Sequence, residues 1–310
     1  MRKEKKRFFI NLISFSIIFI SIFIIVNSLY ISKLKSINYI KKREDNLTNY
    51  LKNNKNTIDY LFLGDSHAYY AINTDKIPGS FVEASLSEGP ILTYFKLREL
   101  INKKIIIKNV LFELDPHTLS DAKNKSAIQN MWYFKKTVPL KEFSRIYKIN
   151  PITVYIKTFF PIIGEREKLL VNLFSKVKND HKKIQNLTKE QKIFDATQKI
   201  HYYFISSNPY SNVQMEYLKK IQKLLNENNI NFITIQYPLT TEFVDKMKNT
   251  GTFNNKLYEK IINSSPKILN YQNIYFDNKD FFSDSDHLNK EGAIVFSEKL
   301  QKDLSEINSN

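Results

Sequence analysis

The 310-residue chain contains no cysteine. A disulfide framework and any thiolate metal site are therefore excluded, while the compartment stays open, because oxidising compartments permit disulfides without requiring them. Glycine is almost as scarce: there are six, too few to cluster into a phosphate-cradling loop. Of the histidines, His117, His181 and His201 have no His-x-x-x-His partner. Neither a metal centre nor a cofactor is expected from such spacing. No internal repeat or low-complexity tract is present. Acidic residues are outnumbered, 31 against 47 Lys and Arg, for a net charge of +16. The basic residues are scattered, with no aromatic-interleaved cluster and no nucleic-acid-binding module, so a nucleic-acid partner is not expected. A cell envelope offers simpler anions, namely lipid headgroups, teichoic acid or acidic glycan.

One long stretch lacks charge altogether. After Arg2, Lys3, Lys5, Lys6 and Arg7, the segment Phe8 to Ile31 is almost wholly Ile, Phe, Leu, Val and Ser, interrupted by Asn11 and Asn27. It exceeds the roughly 20 residues needed to cross a hydrocarbon core and the 7–15 of a secretory signal peptide. With no convincing signal-peptidase cleavage site before Lys33, an uncleaved single-pass anchor is expected over residues 1–31. Lys33, Lys35, Lys41, Lys42 and Arg43 crowd the far side as well. A short tail carrying five basic residues is nonetheless hard to translocate, which places the N-terminus in the cytoplasm and the body outside the cytoplasmic membrane.

Residues 32–56 are polar and read as a helical or irregular stalk. The body, 57–310, is long enough for one large domain with an inserted subdomain. Short apolar runs at Ile58–Leu63, Ser80–Ala84, Ile105–Leu114 and Asn231–Gln236 predict strands, the third broken at Lys108-Asn109, and Ile274–Phe276 predicts the last. Helical spacing appears at Pro90–Asn102, Val213–Glu227, Asn255–Asn263 and Lys290–Ser305. Strands alternating with helices predict a parallel α/β sheet. Residues 116–210 lose that rhythm. Stretches such as Glu165–Val177 and Lys189–Tyr203 make them a mainly helical insertion, expected to cover the site and confer specificity.

Two polar motifs interrupt this pattern. Gly64-Asp65-Ser66-His67 ends the first strand, where a serine hydroxyl would stand at the carboxyl edge of the sheet beside the N–H groups of the next helix. Asp284-Ser285-Asp286-His287-Leu288-Asn289 precedes the last helix. A serine can attack only when a base takes its proton, histidine titrates near neutrality, and a carboxylate fixes its tautomer. The plainer roles are helix caps, for which Asp65, Ser66, Asp286 and Asn289 are all suited. Asp286 also rivals Asp284 as the orienting acid.

These two pieces resemble the first and last sequence blocks of the SGNH/GDSL hydrolase superfamily. The resemblance implies a flavodoxin-like three-layer parallel sheet, with Ser66 as nucleophile, His287 as base and Asp284, of the Asp-x-x-His, as orienting acid. Asp65 would hold the turn, and His67, which replaces the family's usual leucine, would support the site. The family draws further oxyanion donors from a glycine after its second strand and an asparagine after its third. Here Ser85 or Gly89 would fill the first place, whereas Glu113-Leu114-Asp115-Pro116-His117 contains no Gly-x-Asn-Asp for the second. With the anchor and the insertion, that departure makes the chain similar to membrane-anchored envelope acyl-transfer proteins of the D-alanyl-lipoteichoic-acid biosynthesis and polysaccharide O-acetylation types. The implied substrate is an acylated glycan or glycolipid, and the implied partners are the membrane and an integral-membrane acyltransferase. From another class, a non-catalytic scaffold of an envelope polysaccharide complex is the alternative.

Overall fold

The computed structural model describes residues 2–33, 35–129, 131–135, 137–164 and 187–309. Helix α1 (Arg2–Lys33) carries the apolar segment, and α2 (Lys35–Asn53) occupies most of the stalk. The segment Lys3–Ser32 is long and apolar enough to cross a membrane, and its apolar window is not buried by the rest of the chain.

The body follows as β1 (Thr57–Leu63), α3 (Ser66–Ala71), β2 (Ser80–Val82), α4 (Pro90–Asn102) and β3 (Ile106–Glu113). Short helices come next: α5 (Asp121–Gln129), α6 (Met131–Phe134), α7 (Leu140–Tyr147), α8 (Pro151–Phe159) and α9 (Pro161–Gly164). After these come α10 (Lys189–Ile200), which runs on as a π-helical turn over His201–Ile205, then α11 (Asn212–Glu227) and β4 (Asn231–Gln236). The chain ends with α12 (Thr241–Lys248), α13 (Asn255–Asn263), β5 (Ile268–Asn270) and α14 (Lys290–Ser309). The stretch Glu165–Val177 and His181 lie outside the described residues.

All five strands are parallel, in the order β2-β1-β3-β4-β5. Successive residues point to opposite faces, and each face is apolar, as a sheet covered on both sides requires. Phe62, Leu111, Ile233 and Ile235 pack with Ala68 of α3 and with Phe296, Leu300 and Leu304 of α14. Leu61, Leu63, Val110, Phe112 and Phe232 pack with Leu97 and Leu100 of α4 and Leu218, Ile221 and Leu225 of α11. Helices on both faces make three layers. The strand order reverses between β1 and β3, and the carboxyl ends of strands at such a point leave a crevice.

Two details depart from the expectation. β3 is not broken at Lys108-Asn109, because the Asn109 carboxamide donates to Asp59 O at 2.9 Å and accepts from Asn231 at 3.0 Å, while Lys108 reaches the Asp59 carboxylate at 2.7 Å. The last strand is Ile268–Asn270, paired with β4, and Ile274–Phe276 is a turn. Tyr275 and Phe276 supply core packing from that turn, so their aromatic character mimicked a strand. The insertion is mainly helical over its described residues. Its first half packs on α4 and α11 through Met131, Phe134, Phe143 and Val154, and its second half on α12 through Ala196, Ile200 and Phe204.

Candidate active site

Gly64 turns the chain out of β1 at φ +153°, and a Cβ there would stand 2.4 Å from the Glu113 carboxyl of the neighbouring strand. Only glycine fits. The turn delivers Asp65 as N-cap of α3, its Oδ1 accepting the His67 N–H at 2.9 Å, and leaves Ser66 as the first helical residue.

The second motif folds on itself in a similar way. Asp284 Oδ1 accepts the N–H groups of Asp286 at 3.0 Å and His287 at 2.8 Å, an Asx turn that fixes the loop. The other oxygen, Oδ2, meets His287 Nδ1 at 2.7 Å. His287 Nε2 then lies 2.8 Å from Ser66 Oγ. A rival acceptor for that hydroxyl, Asp65 Oδ1, is 3.5 Å away, at the limit of a hydrogen bond. Asp286 Oδ1 also approaches His287 Nδ1, at 3.1 Å, so both acids face the ring and Asp284 is the nearer. Asn289, as its composition suggests, caps α14, its side chain accepting from Gly292 N–H at 2.9 Å.

Behind Ser66 lies a polar cluster that local sequence does not announce. The His67 ring is buried, with Nδ1 2.5 Å from Asp115 Oδ2 and Nε2 3.3 Å from Asp286 Oδ2, the latter near enough for an ion pair but off the line of a hydrogen bond. Burial opposes charging this imidazole, yet the carboxylates of Asp115 and Asp286 outweigh it and hold the pKa well above the usual range. Asp65 Oδ2 takes His117 Nε2 at 3.0 Å and the ammonium of Lys123. Burial works against ionising Asp65, but Lys123 and His117 overcome it and hold the carboxyl well below its ordinary pKa. His117 goes the other way: burial, aided by the charge of Lys123, lowers it to about 4. Glu113 is pushed well up by burial and by Asp65 and Asp115, and its Oε2 accepts from Asp65 N–H at 2.7 Å.

The insertion reaches this centre through α10. Lys199 Nζ lies 3.1 Å from Asp284, 2.8 Å from Asp195, and against Asp286. Burial disfavours its charge, but the three carboxylates raise its pKa. Asp195 in turn accepts from the Ser285 hydroxyl at 2.6 Å, tying α10 to the acid loop. Asp284 and Asp286 are both held below their ordinary values, His287 and Lys199 outweighing burial.

The expected oxyanion residues stand elsewhere. Ser85 donates its N–H to Gly64 O at 3.3 Å and accepts from buried Lys96 at 2.6 Å, so its amide is already engaged. Gly89 is the N-cap of α4, where a Cβ would come 3.0 Å from Gln214 and Lys123. Neither is brought to Ser66 by a hydrogen bond among the described residues. Ser66 N–H itself has no acceptor among them, which leaves it free for a developing oxyanion. For metal binding, Asp65, His67, Glu113 and His117 bring ligand atoms within 4.8 Å of one another, a grouping absent from local spacing. The Lys123 ammonium already sits on Asp65 there, supplying the positive charge that an ion would bring. The roles of Glu113, Asp115, His117, Lys123 and Lys199 were not legible beforehand; the one signal was the unusual polarity of residues 113–117 at the carboxyl end of a strand.

No protein-family model matches this chain, and no curated protein matches it either.

Proposed function

We propose that the protein is a membrane-anchored serine esterase or acyltransferase acting on ester-linked acyl groups of a cell-envelope glycan or glycolipid. The observation that carries this is the continuous relay from Ser66 Oγ through His287 (2.8 Å) to Asp284 (2.7 Å), at the carboxyl end of β1. Asp284, ionised, accepts the Nδ1 proton, so Nε2 presents its lone pair to the Ser66 hydroxyl.

Ser66 Oγ attacks the ester carbonyl carbon, its proton moves to His287 Nε2, and the carbonyl π electrons become the oxyanion beside Ser66 N–H. Collapse breaks the bond to the alcohol oxygen, which leaves with the proton from His287, and the acyl group stays on Ser66. An acceptor hydroxyl then gives its proton to Nε2 and attacks the acyl-serine; the bond to Ser66 Oγ breaks, and Oγ takes the proton back from Nε2. Water as acceptor makes an esterase; a sugar hydroxyl makes a transferase. The carboxylate pair Asp284 and Asp286 stabilises the imidazolium formed in each half-reaction, and Lys199 keeps the two acids from repelling one another.

The apolar helix α1 supports an anchored enzyme. The five basic residues before it are the ground for placing the body on the extracytoplasmic side, where it would work on substrates held at the same surface and receive acyl groups from an integral-membrane acyltransferase. Mass spectrometry of the peptide containing Ser66, after exposure to a fluorophosphonate or an activated acetyl ester, tests the chemistry. A covalent adduct on Ser66, absent in Ser66→Ala, is expected. An unlabelled Ser66 in folded protein would leave the scaffold alternative in its place.

A further inference from the structure

Helix α8 has its polarity reversed. A surface helix normally buries its apolar stripe. Here the stripe Ile152, Tyr155, Ile156 and Phe159, at positions i, i+3, i+4 and i+7, faces outward, with Ile152 68% and Phe159 49% exposed. The inward face holds Val154 and Thr158, packed toward α6 and α7. Ile163 of α9 continues the exposed apolar surface.

This surface adjoins α1. The ring of Phe160 lies 5.3 Å from that of Phe23, and the Asn27 side-chain amide donates to Phe159 O at 3.0 Å. The latter contact satisfies two groups at once. Phe159 is the last residue of α8, where a carbonyl lacks an intrahelical partner, and Asn27 is the polar interruption of an apolar segment. In a hydrocarbon surrounding neither group would find water, so pairing them is the arrangement such a setting demands. With a rise of about 1.5 Å per residue, Phe23 and Asn27 lie roughly 12 and 6 Å inside the apolar end at Ile31. Whatever touches them lies at that depth.

We infer that the α8–α9 segment is a second membrane contact, its apolar stripe seated in the acyl region of the leaflet where α1 leaves the bilayer. This rests on α1 crossing a bilayer, as in the function proposed above. Lipid is the occupant favoured because the stripe is continuous with the lipid-facing surface of α1 at one depth. The stripe, two helical turns long, is also small beside the roughly 800 Å² per partner of a standard protein interface. Lys135 stands 5.4 Å over the Phe159 ring and Lys157 lies on α8 itself, cations placed for anionic headgroups. A single helix on a stalk leaves the body free to tumble about its tether. A second contact holds it in one orientation.

The cysteine-free chain allows a direct test. Ile152→Cys and Ile156→Cys, with Phe15→Cys on α1 and Lys223→Cys on α11 as references, are labelled with an environment-sensitive fluorophore. Each full-length variant is reconstituted in vesicles of phosphatidylcholine and phosphatidylglycerol. Labels at 152 and 156 are expected to shift to the blue, to be quenched by nitroxide on lipid acyl chains, and to lose the quenching by aqueous iodide seen at 223. Iodide quenching equal to that at 223, with the label at 15 still quenched from the lipid, would overturn the inference and spare the anchor. Shielding from both quenchers would mean that protein, such as a second copy, covers the stripe, and would overturn it too. A label at 15 that escapes the lipid quencher would remove the anchor and this contact together.

Discussion

Three imidazoles stand in a row, with His67 between the others, 4.5 Å from His117 and 5.1 Å from His287 between ring centroids. Each has a carboxylate on one nitrogen: Asp115 for His67, Asp65 for His117 and Asp284 for His287. Their states differ because of what faces the second nitrogen. A hydroxyl at the rim, Ser66, faces His287, which is the base of the proposed relay. A second carboxylate, Asp286, faces His67 and, with Asp115, holds its pKa well above the ordinary imidazole range. His117 Nδ1 is buried with no hydrogen-bond partner among the described residues, and with Lys123 beside it that ring stays neutral. On the proposed reading, the half-buried relay moves a proton, while the cluster behind it serves to fix the turn that carries Ser66.

The sharpest way to break this comparison is at the rim. Ser66→Ala is expected to lower acyl transfer by about 10⁴-fold or more, since removing one member of such a relay disables the unit, while stability changes by about 0.5 kcal/mol or less. Turnover and a denaturation curve on the same preparation check both halves. The converse holds in the interior. Asp65→Asn leaves the Lys123 ammonium without its buried counter-charge, and a loss of about 3–5 kcal/mol is expected in chemical denaturation.

His117 gives the comparison a pH signature. Its pKa falls from 6.5 to about 4 on folding, so between those values the unfolded chain binds a proton that the native one refuses. Stability is therefore lost as pH falls from about 6.5 to about 4, by up to about 3 kcal/mol. His117→Gln should flatten that slope in denaturation curves across the window. His67 has the opposite sign: with a raised pKa, its contribution is complete below the ordinary imidazole value and fades as pH rises through its folded one.

The smallest expected effect joins the two regions. His287 is faced by Asp284 and Asp286 from its own loop, by Ser66, His67 and Tyr70 from α3, and, one shell out, by Lys199 and Asp195 from α10. Lys199→Met removes the cation that offsets the two acids. The acid limb of the kcat/KM profile should move up by about one pH unit, a loss of about tenfold on that limb and little at alkaline pH. Lys199→Arg should restore the limb, whereas a purely structural lysine would lower activity equally at all pH values.

Much of this was legible in the chain. Ile58–Leu63 and Asn231–Gln236 are strands because short β-branched and aromatic runs bounded by turn residues have no better place than a covered sheet. The contacts within each motif are local too: Asp65 caps its own helix, and Asp284 folds its own loop. Ile274–Phe276 misled because aromatic residues pack equally well from a turn, and β5 has only three residues with which to signal itself.

The sequence by itself determined the apolar N-terminal segment, the alternation that makes a parallel sheet, and the two motifs bearing Ser66, Asp284 and His287. Only the tertiary structure decided that Asp115, Lys123 and Lys199, ordinary polar residues on paper, would converge on those motifs. The parallel register brings Glu113 against Gly64, and α10 packing on α12 carries Lys199 to the acid loop. Hydrophobic period specifies which side of an element is buried, whereas the pairing of buried charges depends on which elements meet. That meeting is a property of the assembled sheet and its helices.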